Sequence, residues 1–557
     1  MHITSQQPNI ILILVDDLGR QDIGFYGSTF YETPNLDRLA RESMVFTDAY
    51  AACPVCSPTR ASIMSGQYPA RIGVTNYIGS SQDHPSKGRL IDTPYIDHLP
   101  LSVKSLAASL SEGGYQTWHI GNWRLGDEPY YPEHHGFDIN IAGCQFGHPP
   151  AGYFSPYHIP TLEDGPDGEY LTNRLTDEAI SLVNNRQTDR PFFLNLCYYS
   201  VHNPIQAPQE YVAYFQQKAH AMGLDVLNPF IAGEHFPCDH KKDRRIMRRV
   251  IQSDPQYAAM INALDANIGR LLESVKQQGL GENTVVIFAS VNGGLSTSEG
   301  SPTSNLPFSE GKGWMYEGGT REPLFIRWTD VIQPSTYCHV PVSSPDYYPT
   351  ILDIAQLPLP SEQSFDGMSL KPLLSGDNFL ERGGIFWHYP HYGNQGGSPS
   401  AAIRKGDWKL IRFFEDEREE LYHVASDPGE MRDVASTELA IRNSLSANLS
   451  VWLSEVGALL PETNPDHTPS NDHLNNSMAI PLSKYDLETP FGILLYNLHI
   501  RGLLQKHLDV DKLLADWRFR GNIDLPTGEC LEILGLNAHE IYEELNHIPT
   551  RHHPDTH

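Results

Sequence analysis

Two short segments carry residue types whose spacing could do chemistry. Cys56-Ser57-Pro58-Thr59-Arg60 runs on into Ala61-Ser62-Ile63-Met64-Ser65-Gly66-Gln67. Pro58 suits the first turn of a helix, which sets Cys56 at the N-terminal end. Unpaired N–H groups and the positive end of the helix dipole there favour an oxyanion. Arg60 adds a permanent cation one turn on. The bland alternatives are a buried structural thiol, or a weak two-cysteine metal site with Cys53 that no second cysteine pair supports. The other segment is Asp16-Asp17, directly after the apolar run Asn9 to Val15. Adjacent carboxylates at the carboxyl end of a strand are natural ligands for a hard divalent cation, although a solvated loop or a helix cap explains the pair equally well by itself.

The elements around these residues alternate between strand and helix. Asn9–Val15 is aliphatic without polar alternation, as a central parallel strand should be. Thr33-Pro34 opens a helix through Arg41, and Ser102 to Glu112 reads as another, stopped by Gly113-Gly114. Strands are expected at Tyr115–Ile120, Phe192–Tyr199, Thr284–Ala289 and Leu324–Trp328, with a helix near Thr176–Val183. A long helix from Pro255 to Gln278, capped by Asp254, aligns Met260, Ile261, Leu264, Ile268, Leu271, Leu272 and Val275 on one face. The series implies an α/β fold with a parallel or mixed sheet covered by helices. Beyond Leu357 a hairpin (Ala401–Arg404 and Trp408–Phe413 across Lys405-Gly406-Asp407) and a helix at Thr437–Val456 suggest a smaller α+β unit. Leu460–Pro481 reads as a linker, Leu513–Arg518 and Ala538–Leu545 as helices, and the His/Pro tail as disordered.

Composition narrows the classes. The 557 residues exceed one ordinary core, and 40% hydrophobic with 19% charged residues is a globular balance. The net charge of −28 repels a polyanion, so nucleic-acid binding is not expected; an anionic small molecule needs a locally positive pocket. Full protonation of the 25 histidines would cancel most of that charge. Seven scattered cysteines do not make a disulfide scaffold. No apolar run reaches the length of a membrane span, and no signal peptide is visible. The chain as given therefore reads as cytoplasmic, or as periplasmic or secreted if an upstream segment is missing.

The Cys-x-Pro-x-Arg segment with its following Ser-Gly-Gln resembles the signature of the formylglycine-dependent sulfatases of the alkaline phosphatase superfamily. The likeness includes Asn9–Gly27, Gly114–Gly126, Tyr198–Pro208, Asn292-Gly293-Gly294, Gly311–Gly319 and Ile403–Leu410, and covers roughly residues 8–465. It resembles most the bacterial arylsulfatase-type enzymes that act on sulfated carbohydrates. The resemblance implies a sulfatase-like domain over 1–356 and an α+β subdomain over 357–465; residues 466–557, a linker and helical extension of unknown role, fall outside it. It implies hydrolysis of sulfuric esters, with Cys56 oxidised by a maturation enzyme to formylglycine and one calcium ion held by Asp16, Asp17, Asn292 and the modified Cys56. Arg60 would hold the nucleophile, and His202 and Lys312 would contact the sulfate and help protonate the leaving oxygen.

Three positions depart from the family pattern. Gly-Lys-Trp-His-x-Gly stands here as Gly121-Asn122-Trp123-Arg124-Leu125-Gly126, and Asp-Asn-Gly-Gly as Val291-Asn292-Gly293-Gly294. Asn122 supplies no charge to a sulfate, Arg124 cannot accept a proton at any working pH, and Val291 has no oxygen for calcium. The expectation is a sulfatase on a sulfated carbohydrate with impaired turnover. The alternative is a non-catalytic pseudo-sulfatase that binds a sulfated glycan or a protein partner. A related two-metal phosphoesterase is a weaker third reading, for want of carboxylate and His ligands. Trp387 to Tyr392 resembles a family loop that could stack on a sugar, or is an ordinary aromatic loop.

Overall fold

The Asn9–Val15 strand shows how the molecule is layered. It lies parallel between Thr284–Ser290 and Phe192–Cys197, fully buried along its length. Ile10, Leu12 and Leu14 enter one core and Ile11, Ile13 and Val15 the other, because successive side chains leave opposite faces of a strand. That is why its sequence has no polar alternation. In the computed structural model, residues 7–79 and 86–467 are described, together with 480–481, 487, 491, 494, 503–510, 513, 526–537, 541 and 551–552.

Eight strands form the central mixed sheet. Outward on one side of Asn9–Val15 come Phe192–Cys197, Gln116–Gly121 and Ile139–Ile141; on the other come Thr284–Ser290, Leu324–Arg327, Met44–Phe46 and Thr336–Cys338. Leu324–Arg327 is antiparallel to both neighbours, which makes the sheet mixed. All seven apolar positions expected on the long helix are buried in the core that it shares with Ile11 and Ile13. That helix spans Pro255–Gln277, and the Asp254 side chain accepts from the N–H groups of Gln256 and Tyr257.

Some boundaries move for local reasons. The helix expected from Ser102 begins at Leu106, because Ser105 caps it by accepting from the Ala108 N–H. The helix near Thr176 runs from Leu171 to Asn184, and the strand expected to reach Tyr199 ends at Cys197. A second, antiparallel sheet is built from Ile385–Tyr389, Ser400–Lys405, Trp408–Phe413 and Glu419–His423, as the hairpin signal implied. Leu445, Leu449 and Trp452 of the Leu439–Glu455 helix pack against its Ala401, Ile403 and Leu410.

The linker expected over Leu460–Pro481 is tied down at its ends: Glu462–Thr463 pairs with Leu90–Ile91, and Ile480–Pro481 with the Phe230–His235 strand. Its Pro- and Asn-rich composition carries no sign of those distant partners. Arg551–His552 of the tail pairs with Leu227–Asn228. The helices expected over Leu513–Arg518 and Ala538–Leu545 lie outside the described residues except for 513 and 541. Among the described residues no helix is long and apolar enough to cross a membrane.

Candidate functional site

Four neighbouring parallel strands end at one place, and each hands on a residue that the sequence singled out. Asp16 and Asp17 follow Asn9–Val15, Asn122 and Arg124 follow Gln116–Gly121, His202 lies beyond Phe192–Cys197, and Val291 and Asn292 follow Thr284–Ser290. Functional groups gather at the carboxyl ends of strands in such sheets because the loops there converge on one crevice. The helix Cys56–Ser65 points its N-terminus into the group, with Cys56 as its first residue and fully buried. Asp17 and Arg124 both have left-handed backbone (φ 60° and 50°), a conformation that costs a non-glycine residue about 1–3 kcal/mol and concentrates at functional sites.

The contacts are tight. Arg60 donates through Nη2 to Asp16 Oδ2 at 3.1 Å and through Nη1 to the Asn122 carbonyl at 2.8 Å. Asn122 Nδ2 donates to the same Asp16 oxygen at 2.6 Å, so this side chain braces a carboxylate. Arg124 Nη1 reaches Cys56 Sγ at 3.3 Å, while its Nε donates to the Ile78 carbonyl at 3.2 Å. Lys312 Nζ donates to Asp17 Oδ2 at 2.8 Å, and Asn292 Nδ2 to Asp17 Oδ1 at 2.9 Å. Burial works against the Lys312 ammonium, but the surrounding negative groups, Asp17 foremost with Glu299 and Asp16, together outweigh it and hold its pKa above the ordinary value.

His202 stands with Nε2 3.7 Å from Asp17 Oδ2, and its Nδ1 lies 2.9 Å from the Asn203 carbonyl. Burial, reinforced by the Lys312 charge, pushes its pKa well below the usual imidazole value, so it is neutral at neutral pH. Donation to the carbonyl then assigns the proton to Nδ1 and leaves Nε2 as an acceptor. Val291 is fully buried in the apolar cluster that also holds Leu14, Cys56 and Ala289. The structure thus brings together all the singled-out positions, substituted ones included.

Three buried oxygens here, Asp16 Oδ1, Asn122 Oδ1 and Asn292 Oδ1, have no hydrogen-bond partner. A buried acceptor left without a donor is costly, and a hard cation is a partner that satisfies several at once. Their donor type fits calcium. Their charge is short, because position 291 contributes none, and among the described residues no three His, Cys, Asp or Glu side chains converge as a ready metal cluster.

Other residues border the site without a sequence signal. Tyr77 lies beneath Arg124, whose guanidinium carbon is 5.6 Å from the ring centre, and the His148 ring stacks 6.1 Å from that of His202. Glu299 adjoins His202 through a hydrogen bond from Asn203 Nδ2 to its carbonyl at 3.1 Å. The Trp387–Tyr392 segment does not offer a stacking face: Trp387 and Tyr389 are buried in the strand Ile385–Tyr389, and Trp387 Nε1 donates to the Ala51 carbonyl.

The mixed sheet, its antiparallel companion and a cation-lined crevice at the strand ends define the sulfatase class of α/β fold. The sulfatase family model matches residues 8–357, and the model for the C-terminal region of N-sulphoglucosamine sulphohydrolase matches 310–455. The chain belongs to the sulfatase family. A sulfatase of Formosa agariphila is 31% identical over 86% of this chain and 93% of its own length. Human N-acetylgalactosamine-6-sulfatase is 27% identical over 82% and 87%. Among solved structures, Ps i-CgsB in complex with k-i-k-neocarrahexaose superposes with a TM-score of 0.64 and 29% identity, over 84% of this chain and 96% of that one.

Proposed function

We propose that this crevice binds the sulfate ester of a sulfated carbohydrate and hydrolyses it at a strongly reduced rate. The observation that carries the reading is the convergence of Arg60, Arg124 and Lys312 around the helix-start Cys56, three fixed cations gathered in a molecule of net charge −28. The names of relatives support the ligand class: one is an N-acetylgalactosamine-6-sulfatase and another was solved in complex with k-i-k-neocarrahexaose.

A maturation enzyme that oxidises Cys56 to formylglycine would supply a hydrated aldehyde oxygen as nucleophile. Calcium, held by Asp16, Asp17, Asn292 and residue 56, would polarise the sulfate oxygens. This chain's own residues do the rest. Arg60 holds Asp16 and the start of the helix in register. Arg124 and Lys312 neutralise sulfate charge from two sides, and fixed donors of this kind act without reorganising. His202, neutral with its proton on Nδ1, presents Nε2 as an acceptor that would take the proton of the attacking oxygen and return it to the leaving one.

The three substitutions set the rate. Arg124, next to residue 56, can neither take nor return a proton, and an acid–base group is worth on the order of 10²–10⁴ in rate. Asn122 donates a hydrogen bond where the family places a cation, a loss of about 10²–10³. These factors need not multiply. The test is co-expression with a maturation enzyme, peptide mass at Cys56, and an aryl sulfate assay of the chain beside the triple variant N122K/R124H/V291D. We expect the triple variant to turn over at least a hundredfold faster. Equal rates would overturn the account of the substitutions. If both are inert but bind sulfate, the chain is a non-catalytic glycan receptor.

A further inference from the structure

Glu299 has no part in the reaction chemistry, yet the molecule invests in its position. Its Oε1 accepts from Gln395 Nε2 at 2.6 Å and from Asn394 Nδ2 at 3.0 Å, two amides delivered by the second unit. Gln395 in turn packs over Gly313, the residue after Lys312, so closely that a Cβ there would stand 2.4 Å from its Oε1. On the other side Asn203, the neighbour of His202, holds the Glu299 carbonyl. Glu299 is therefore tied on one side to the Lys312 segment through Gln395 and on the other, by its backbone, to the His202 segment, and its charge is felt by both Lys312 and Tyr77.

The backbone adds a second, independent observation. Ser298, Glu299, Gly300 and Ser301 are all left-handed, with φ of 63°, 50°, 88° and 40°. Three of the four carry side chains, and such strain persists where surroundings over-determine it, typically at ligand clamps. Arg249 Nε anchors the run by donating to the Ser301 carbonyl at 2.6 Å.

A half-buried carboxylate at the rim of an anion site weakens the hold on sulfate alone, since like charges repel in a partly desolvated crevice. It is useful if the remainder of the ligand offers donors. We infer that Glu299 reads the sugar that carries the ester: it accepts hydrogen bonds from ring hydroxyls next to the sulfate and turns away a sugar bearing a second anionic group there. Charge-assisted acceptance gives the affinity and repulsion gives the selectivity. The inference rests on the sulfate-ester reading above.

Calorimetry on the full chain separates the two. The probes are inorganic sulfate, methyl galactoside 6-sulfate and the corresponding 4,6-disulfate, titrated into the unaltered chain and into Glu299→Gln and Glu299→Ala. We expect both variants to lose about tenfold in affinity for the monosulfated sugar, and to hold inorganic sulfate within twofold or more tightly. The preference for mono- over disulfated sugar should shrink about tenfold. Unchanged sugar affinity in both variants would overturn the inference. So would a parallel loss for sulfate and sugar with a lowered Tm, which would make Glu299 a loop clamp. If the unaltered chain does not bind inorganic sulfate at all, the sulfate-ester reading itself fails, an outcome that does not depend on Glu299.

Discussion

Position 291 concentrates the chemistry of the site into one side chain. Val291 sits in an apolar cluster with Leu14 and Cys56, while Asp16 Oδ1 and Asn292 Oδ1 are buried without partners. Val291→Asp restores a carboxylate to the mouth of those oxygens, so we expect calcium to bind at least tenfold more tightly by calorimetry, since ligand charge count tunes such affinities. The same change places an unpaired charge in an apolar setting, a cost above the ~1–3 kcal/mol of an unsatisfied neutral group. The variant should melt below the unaltered chain in a chelator and recover when calcium is added, because only the folded state binds the ion. If calcium affinity does not change, charge is not what the site lacks. Lys312→Met tests the other sign. It should cut inorganic sulfate affinity tenfold or more and leave Asp17 Oδ2 without its donor. The substitutions at 122, 124 and 291 were legible in the sequence because the flanking glycines and tryptophan fix the alignment. The grip of Lys312 on Asp17 was not, since it joins residues 295 apart in the chain and no local pattern encodes it.

Between elements, the two units are joined by buried charge. Lys409, on the Trp408–Phe413 strand, lies 3.0 Å from both Glu317 Oε1 and Glu430 Oε1, and all three side chains are fully buried. Removing the cation alone, as in Lys409→Met, would leave Glu430 without its cation, while Glu317 keeps Arg321 at 3.2 Å. Breaking a buried pair in this way costs about 3–5 kcal/mol, so a marked fall in Tm is expected, and an unaltered melt would count against the network as a brace. Burial and the charge of Glu317 push the Glu430 carboxyl above its ordinary range. A raised native value means that its contribution to stability is whole below the ordinary glutamate pKa and is lost as pH rises through the native one. Glu430→Gln should therefore flatten the alkaline side of a Tm–pH profile. None of this network was visible in the sequence, where Lys409 reads as one more hairpin residue. The hairpin itself was legible, as were the central strand and the long helix, because their periodicities reflect local burial. The single reversed strand, Leu324–Arg327, was not, because direction within a sheet is settled by partners far along the chain.

For the whole molecule the governing quantity is the net charge of −28 around a crevice that holds Arg60, Arg124 and Lys312. The two scales act oppositely on a sulfated polymer. On the proposed function, the sugar that carries the ester would be drawn by the fixed cations of the crevice, while the remainder of the polymer would meet the negative exterior. Exposed charges interact over about 10 Å at 0.1 M salt and about 30 Å at 0.01 M. A monosaccharide sulfate fits inside the favourable zone, whereas a sulfated hexaose reaches well outside it. We therefore expect the hexaose to associate more slowly than the monosaccharide at 0.01 M salt, by about tenfold, a typical size for electrostatic effects on encounter rates. Raising the salt should narrow that difference by speeding the hexaose, while the monosaccharide, held by buried partners, weakens only modestly. Stopped-flow association rates at a series of salt concentrations decide it. If the hexaose instead binds faster at low salt, a positive track must lead to the crevice, and the exterior is not the uniform repulsive field that the composition implies.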